Sequence, residues 1–233
     1  VNLLHTRNIV SPDYGLKLTS QTEQHTWALL AANDSQATFL MPGNLSSEVA
    51  SLAEESLNLA ARYRFDMDKT FSFGGLITAK SSADNQLTEF AAQTDDNNDY
   101  HNYVISLDAK YQPTEQDIFT AQVAHSQTRY PTALYQQFCG TVEGELTEGL
   151  LCGQTPLNCE FGQCQVNEQV LRSQSDEDFS GALYQLTYEH NARDWFAYSE
   201  YHDVSPHFRA DLGFVVRNTM MPIGQYHSSR SLF

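Results

Sequence analysis

This sequence predicts an all-β chain: an antiparallel up-and-down meander forming a transmembrane β-barrel of about ten strands, or part of a larger barrel, with long external loops. Three observations predict it. First, apolar and polar residues alternate with a period of two. Tyr103, Ile105, Leu107, Ala109 and Tyr111 are set against Asn102, Ser106, Asp108 and Lys110, and Leu57–Phe65 alternates likewise. Such a period gives a strand two chemically different faces. Second, the connections alternate in length. Asp66–Lys69, Gln112–Gln116 and Asn191–Arg193 are short, whereas 33–55, 81–100 and 129–178 are long. One end of the meander is therefore smooth and the other elaborated, as in outer-membrane barrels. Third, several strands reach about 9–11 residues, the length that crosses a tilted barrel wall, against a soluble mode of about 5–6.

The elements follow in order. Tyr14–Ser20 and Thr26–Ala32 form a first hairpin around residues 21–24. The loop after it carries Pro42, Gly43 and Asn44, a turn cluster. Glu, Ala and Leu dominate Ser47–Ala61, but the alternation after Ser56 makes its second half a strand. Ser56–Phe65 and Thr70–Lys80 form the second hairpin, His101–Tyr111 and Asp117–Thr128 the third, Phe179–His190 and Asp194–His202 the fourth. Phe208–Arg217 and Ile223–Leu232 are expected as a fifth, turned at Asn218–Pro222, and Asn2–Asn8 is a candidate eleventh strand. The whole chain, 1–233, reads as a single barrel domain with a long Cys-containing loop at 129–178. Starting at Val1 without a signal peptide, it reads as mature or trimmed. It ends in Phe233, an aromatic terminus common among such barrels.

The expected register follows from the alternation. Leu57, Leu59, Tyr63 and Phe65 point outward, as do Tyr103, Ile105, Leu107 and Tyr111. Arg62, Arg64, Asp108 and Lys110 then line the lumen, with Arg209, Asp211 and Arg217 from the strand expected at 208–217. A charge on the lipid face would cost up to ~2–4 kcal/mol at midplane, which favours this register. Both signs of charge suggest a cross-linked interior rather than an open channel. Gly15 and Gly213 are expected inside strands at bulges or close backbone approaches, and Gly74 and Gly75 at a kink.

Composition narrows the function classes. No run approaches 18 apolar residues and the mean hydropathy is −0.45, which excludes a transmembrane helix but not a barrel. Thirteen Lys and Arg stand against 29 Asp and Glu, a net charge of −16. Nucleic-acid binding is thereby disfavoured, since a phosphate backbone needs a basic surface. Much of the acid lies in the long loops, among them Glu143, Glu145, Glu148 and Glu160. The bland reading is a solvated loop surface. Asp95, Asp96, Asn97, Asn98 and Asp99 offer oxygen ligands to calcium but lack the Gly and final Glu of an EF-hand loop.

The four cysteines, Cys139, Cys152, Cys159 and Cys164, all fall in the longest loop. An even, clustered set suggests two disulfides in an oxidising compartment. Their spacing lacks the paired Cys-x2-Cys knuckles of a zinc ribbon. Three pairings are open, of which Cys139–Cys152 with Cys159–Cys164 is the most local. His202, Asp203 and His207 are the nearest approach to a catalytic or metal cluster. Gly-x-Ser-x-Gly and His-Glu-x-x-His are both absent. No enzymatic centre, cofactor or metal is expected.

Two stretches resemble a known family. Arg7, Asn8 and Ile9 followed by Ser11-Pro12-Asp13-Tyr14-Gly15-Leu16-Lys17-Leu18-Thr19 form the first. Tyr201–Arg217, with its Pro-x-Phe-x-x-x-Leu-Gly-Phe-Val-x-Arg pattern, forms the second and more specific. Both are similar to the C-terminal region of a family of large bacterial envelope proteins. Those proteins carry a carbohydrate-binding family-9-like module ahead of an uncharacterised outer-membrane barrel. The resemblance brackets residues 5–217, lacks the sugar-binding-like module and implies either a fragment or a compact relative. The family offers no catalytic residues to carry over.

Three function classes remain. The first is a Gram-negative outer-membrane barrel, embedded in lipid and acting as scaffold or conduit, whose loops bind a surface protein or glycan. The second is a soluble all-β binding module for glycan or protein. The third is a barrel-rim hydrolase using His and Asp.

Overall fold

The computed structural model describes residues 2–42, 47–52, 55–82, 100–130, 179–193, 195–205, 207–215 and 221–228. Eleven strands follow one 3-10 turn at Thr6–Asn8: β1 Pro12–Gln21, β2 His25–Asp34, β3 Ala37–Pro42, β4 Ser47–Leu52, β5 Ser56–Asp66, β6 Phe71–Ser82, β7 His101–Tyr111, β8 Asp117–Arg129, β9 Phe179–Asn191, β10 Phe196–Val204 and β11 Met221–Ser228. Nine form one sheet in the order β1-β2-β5-β6-β7-β8-β9-β10-β11, every neighbour antiparallel. Among the described residues the sheet is not closed: β1 and β11 are its edges. They run in the same direction, because eight antiparallel steps separate them.

The central hairpins arise from local chemistry. β5–β6 and β7–β8 pair without a register break over the whole of each ladder. The turn between β5 and β6 is held by Asp68, whose Oδ1 accepts from the Thr70 N–H at 2.7 Å, the Thr70 hydroxyl at 2.7 Å and the Phe71 N–H at 2.8 Å. Such an Asx-type cap lets a short polar turn reverse the chain. Those three hydrogen bonds also hold the Asp68 carboxyl below the usual carboxylate range. Thr114 closes the next turn, its hydroxyl donating to Asp117 at 2.6 Å and accepting the Asp117 N–H at 3.0 Å.

Four expectations are corrected. The stretch 33–55 is not a plain loop, because β3 and β4 pair within it as a separate two-stranded sheet. Residues 207–215 are not a strand: they form turns and irregular backbone. Asn2–Asn8 likewise forms no strand in the sheet, only a 3-10 turn and one isolated bridge, Asn2 to Phe214. The last strand begins at Met221, where a turn was expected.

The two faces of the sheet are opposite in character. Leu16, Leu29, Leu59, Ile77, Ile105, Leu107, Val123 and Leu186 lie on one face, and all are exposed. Leu107, at 61 %, is the most exposed of the eight. The opposite face carries Asn58, Thr78, Lys80, Asn102, Ser106, Ser126 and Thr128, all buried. This inverts the arrangement of a soluble sheet, which hides its apolar side. A compact core does exist, but it sits on the polar face at the long-loop end. There Leu76, Val104, Ala124, Leu183 and Val204 pack with Leu3, Phe208, Ala210 and Val215.

Candidate functional site

The site is the polar face together with the segment lying on it. After β10 the chain turns back at Ser205, whose N–H donates to the Ala182 carbonyl while its Oγ accepts the Ala182 N–H, each at 2.9 Å. Residues 207–215 then run across the inner sides of β7, β8 and β9. Phe208, Arg209, Asp211 and Leu212 are all at most 2 % exposed. The sheet is cut to receive them. A Cβ on Gly181 of β9 would fall on the backbone of Phe208, and one on Gly213 would lie 2.7 Å from the Asn2 carbonyl oxygen.

Hydrogen bonds from side chains of the sheet replace a strand ladder here. The Arg209 N–H donates to the Ser126 hydroxyl at 3.1 Å. Asn102 serves twice, donating to the Arg209 carbonyl at 3.2 Å and accepting the Asp211 N–H at 3.0 Å. The Asp211 carboxylate accepts from the hydroxyls of Tyr100 at 2.7 Å and Tyr130 at 3.0 Å. Those two tyrosines flank the β7–β8 hairpin at its open end and stack 6.1 Å apart. Burial pushes both hydroxyls well above the usual tyrosine range, and the negative Asp211 adds to it, so both remain donors. Burial also raises the Asp211 carboxyl, opposed by the Tyr100 hydrogen bond and by the charge of Lys80. Lys80 itself is fully buried and donates to the Thr38 carbonyl at 2.8 Å. Arg209 lies over the Phe179 ring at 5.8 Å, a cation–π geometry.

The opposite, short-turn half of the same face is polar and less covered. Arg62 of β5 pairs with Asp108 of β7 through both terminal guanidinium nitrogens, Nη2 donating to Oδ1 at 2.7 Å. Arg64 pairs with Asp66 on its own strand at 2.6 Å. Lys110 lies opposite Ser72 of β6 and Thr120 of β8 in the ladders, on the face of Asp108. Gln122, Gln185 and Glu200 continue this lining, with Gln185 donating to Glu200 at 2.8 Å.

Arg62, Arg64, Asp108 and Lys110 therefore lie on the face opposite the apolar one. Arg209 and Asp211 also lie on that side, but from the buried irregular segment and not from a strand. Phe208, Ala210 and Leu212, which a strand at 208–217 with Arg209 and Asp211 inward would turn outward, are buried with them. Gly213 sits outside any strand, at a close approach to the N-terminal segment. Arg217, the four cysteines and the Asp95–Asp99 cluster lie outside the described residues. His202 and Asp203 do not form a dyad, since neighbours on a strand point to opposite faces; His202 faces with Gln185, Asp203 with Tyr184. Among the described residues no three His, Cys, Asp or Glu gather as a metal site, and no helix is long and apolar enough to cross a membrane.

Sequence reasoning put Asn102 on the polar face without its role there, and missed Tyr100, Tyr130, Lys80 and Gly181. The available signal was positional. Tyr100 and Tyr130 bracket one hairpin symmetrically, and Lys80 and Asn102 interrupt otherwise bland polar rows. On the apolar face, rings form a belt at the short-turn end. Phe65 meets Phe73 at 5.5 Å, Phe71 meets Tyr111 at 6.4 Å, Tyr111 meets Phe119 at 6.3 Å and Phe119 meets Tyr188 at 4.7 Å. Beyond them His190 stacks on Trp195 at 3.6 Å and bonds Asp117 at 2.8 Å.

Comparison of the chain with protein-family models, with curated proteins and with solved structures finds no match.

Proposed function

We propose that this chain is the wall of a bacterial outer-membrane β-barrel, acting as a scaffold or conduit, with its long acidic loops binding a surface protein or glycan. One observation carries the reading: the apolar face of the sheet is the uncovered one, and the polar face holds the packed interior. Soluble monomers rarely expose a contiguous apolar surface of this kind. The dimensions agree. From Tyr103 to Tyr111 is eight residues, ~27 Å along a strand and ~20 Å along the normal at a ~40° tilt, close to the ~25 Å apolar band between aromatic girdles of known barrels. The ring belt from Phe65 to Trp195 supplies one girdle, at the short-turn end. Lipid would supply the partner for this band.

Closing such a barrel requires either a parallel seam between β1 and β11 or an odd number of further strands, since the two edges run the same way. Lipid cannot satisfy an open edge. The resemblance of residues 201–217 to the envelope family belongs to the same reading. No enzymatic role is proposed.

The test is Leu107→Arg. Leu107 is exposed and lies midway along its strand. In a bilayer the change should cost ~2–4 kcal/mol of folding stability. On a sheet facing water it should cost within ~0.5 kcal/mol. A cost in the second range, together with extraction in buffer without detergent, would replace the barrel with the soluble binding module.

A further inference from the structure

We propose that residues 207–215 are a releasable plug that closes the loop-side mouth of the lumen, and that the N-terminal segment Asn2–Asn8 is the clasp that keeps it closed. The inference rests on the barrel reading above.

The plug meets the wall through side chains and packing, with no strand ladder. Ser126 and Asn102 serve its backbone at Arg209 and at the Asp211 N–H, and the N-terminal segment serves the rest of the stretch 211–214. Four successive residues each give one backbone group to the N-terminal segment. The Asp211 and Gly213 carbonyls accept from the Asn8 side-chain amide at 3.0 and 2.7 Å. The Leu212 carbonyl accepts the His5 N–H at 2.5 Å, and the Phe214 N–H donates to the Asn2 carbonyl at 2.7 Å. Leu3 adds a buried apolar contact to the same core as Phe208. With the clasp gone, these groups lose their partners inside a buried region, which is costly. Plug and clasp are therefore one coupled unit.

The clasp is also joined directly to the wall. Val10 and Ser11, next along the chain, donate their N–H groups to the Asp34 carboxylate at 2.8 and 2.7 Å. A pull on the N-terminal segment would act on the plug while that anchor holds β1 in place. Behind the plug, the half of the lumen bearing Arg62, Asp108 and Lys110 would communicate only with the short-turn side. The chain at rest is then a closed conduit, opened by withdrawing residues 2–8.

The experiment is solute flux through protein-bearing liposomes, with flotation to score insertion. Asn8→Ala removes two of the four backbone attachments and should raise flux about tenfold if the closed state loses that support. Deletion of residues 2–8 should raise it at least as much. Asn2→Cys with Phe214→Cys joins the bridged pair, whose Cα spacing in an antiparallel bridge suits a disulfide. That variant should stay closed until reductant is added, with the parent chain under the same reductant as control for its own cysteines. Deletion and Asn8→Ala variants that insert, yet pass solute no faster than the parent, would overturn the plug alone. A parent chain that fails to float with the liposomes would overturn the barrel reading, and the plug with it.

Discussion

Arg62 of β5 reaches Asp108 of β7 across an intervening strand, and the residue it crosses is Gly74. A Cβ on Gly74 would lie 2.9 Å from the Arg62 Nη2 and 2.6 Å from the Tyr63 carbonyl oxygen. The pair therefore exists because β6 leaves its inner side bare at that point. Gly75, next along the strand, faces the other way, and a Cβ there would meet only ordinary contacts, 3.4 Å from Leu107.

The two glycines should thus respond differently. Gly74→Ala forces either the backbone or the guanidinium to move and should destabilise by ~1–3 kcal/mol. Gly75→Ala should stay within ~0.5 kcal/mol. Chemical denaturation in detergent or lipid measures both. In an Arg62→Ala background the Gly74→Ala penalty should shrink but not vanish, because the carbonyl clash remains. Equal penalties at both glycines would show that the bare inner surface has no special role.

Gly181 sets the seat of the buried segment. Gly181→Ala should lower the melting temperature by an amount equivalent to ~1–3 kcal/mol, because the atom it would strike is backbone and cannot swing aside. The same variant should expose Phe208 and speed proteolysis within 207–215. A change without effect would mean that this segment does not rest on β9.

Asp211 should separate hydrogen bonding from charge. Asp211→Ala takes the Asp211 acceptor from the buried Tyr100 and Tyr130 hydroxyls and should cost ~2–6 kcal/mol, at ~1–3 kcal/mol for each hydrogen bond lost. Asp211→Asn keeps an acceptor oxygen and should cost less. The pH dependence follows from the raised carboxyl pKa. The native state holds this proton more tightly than the unfolded chain. Its contribution to stability is complete below the ordinary aspartate range and declines as pH rises through the raised value. Melting curves across that range should show this component in the parent and lose it in Asp211→Asn.

Asp68 should behave with the opposite sign. Its folded pKa is lowered by the Thr70 and Phe71 hydrogen bonds. Its contribution is therefore present above the ordinary aspartate range and lost as pH falls through the lowered value. Asp68→Asn should keep the turn and flatten this acid dependence, whereas Asp68→Ala should weaken the β5–β6 hairpin at every pH. Amide exchange at Thr70 and Phe71 reads the turn directly. Unchanged exchange in the alanine variant would remove the cap from the account.

Much of this architecture was legible in the chain. Leu57–Phe65 and Tyr103–Tyr111 alternate strictly enough to define both strand and face, because the two-residue period is a local property of extended backbone. His101–Tyr111 was placed to the residue, and the flanking strands to within about two. The short turns were legible as brief polar breaks between alternating stretches, whereas the Asp68 and Thr114 caps that hold them showed only in the folded chain. Phe208–Val215 alternates as well, and by that local rule it reads as a strand. Tertiary structure decided otherwise. The inner rows of β7 to β9 present Asn102, Ser126 and Gly181 where larger side chains would have filled the space, and Asn2 to Asn8 satisfies the backbone that a ladder would have served. Those partners lie tens to hundreds of residues away, so no local period could announce them. The sequence determines which faces the strands have; only the folded sheet decides that this last alternating stretch leaves the ladder and packs on the polar face, since burying it there pairs its polar backbone and fills the core at once.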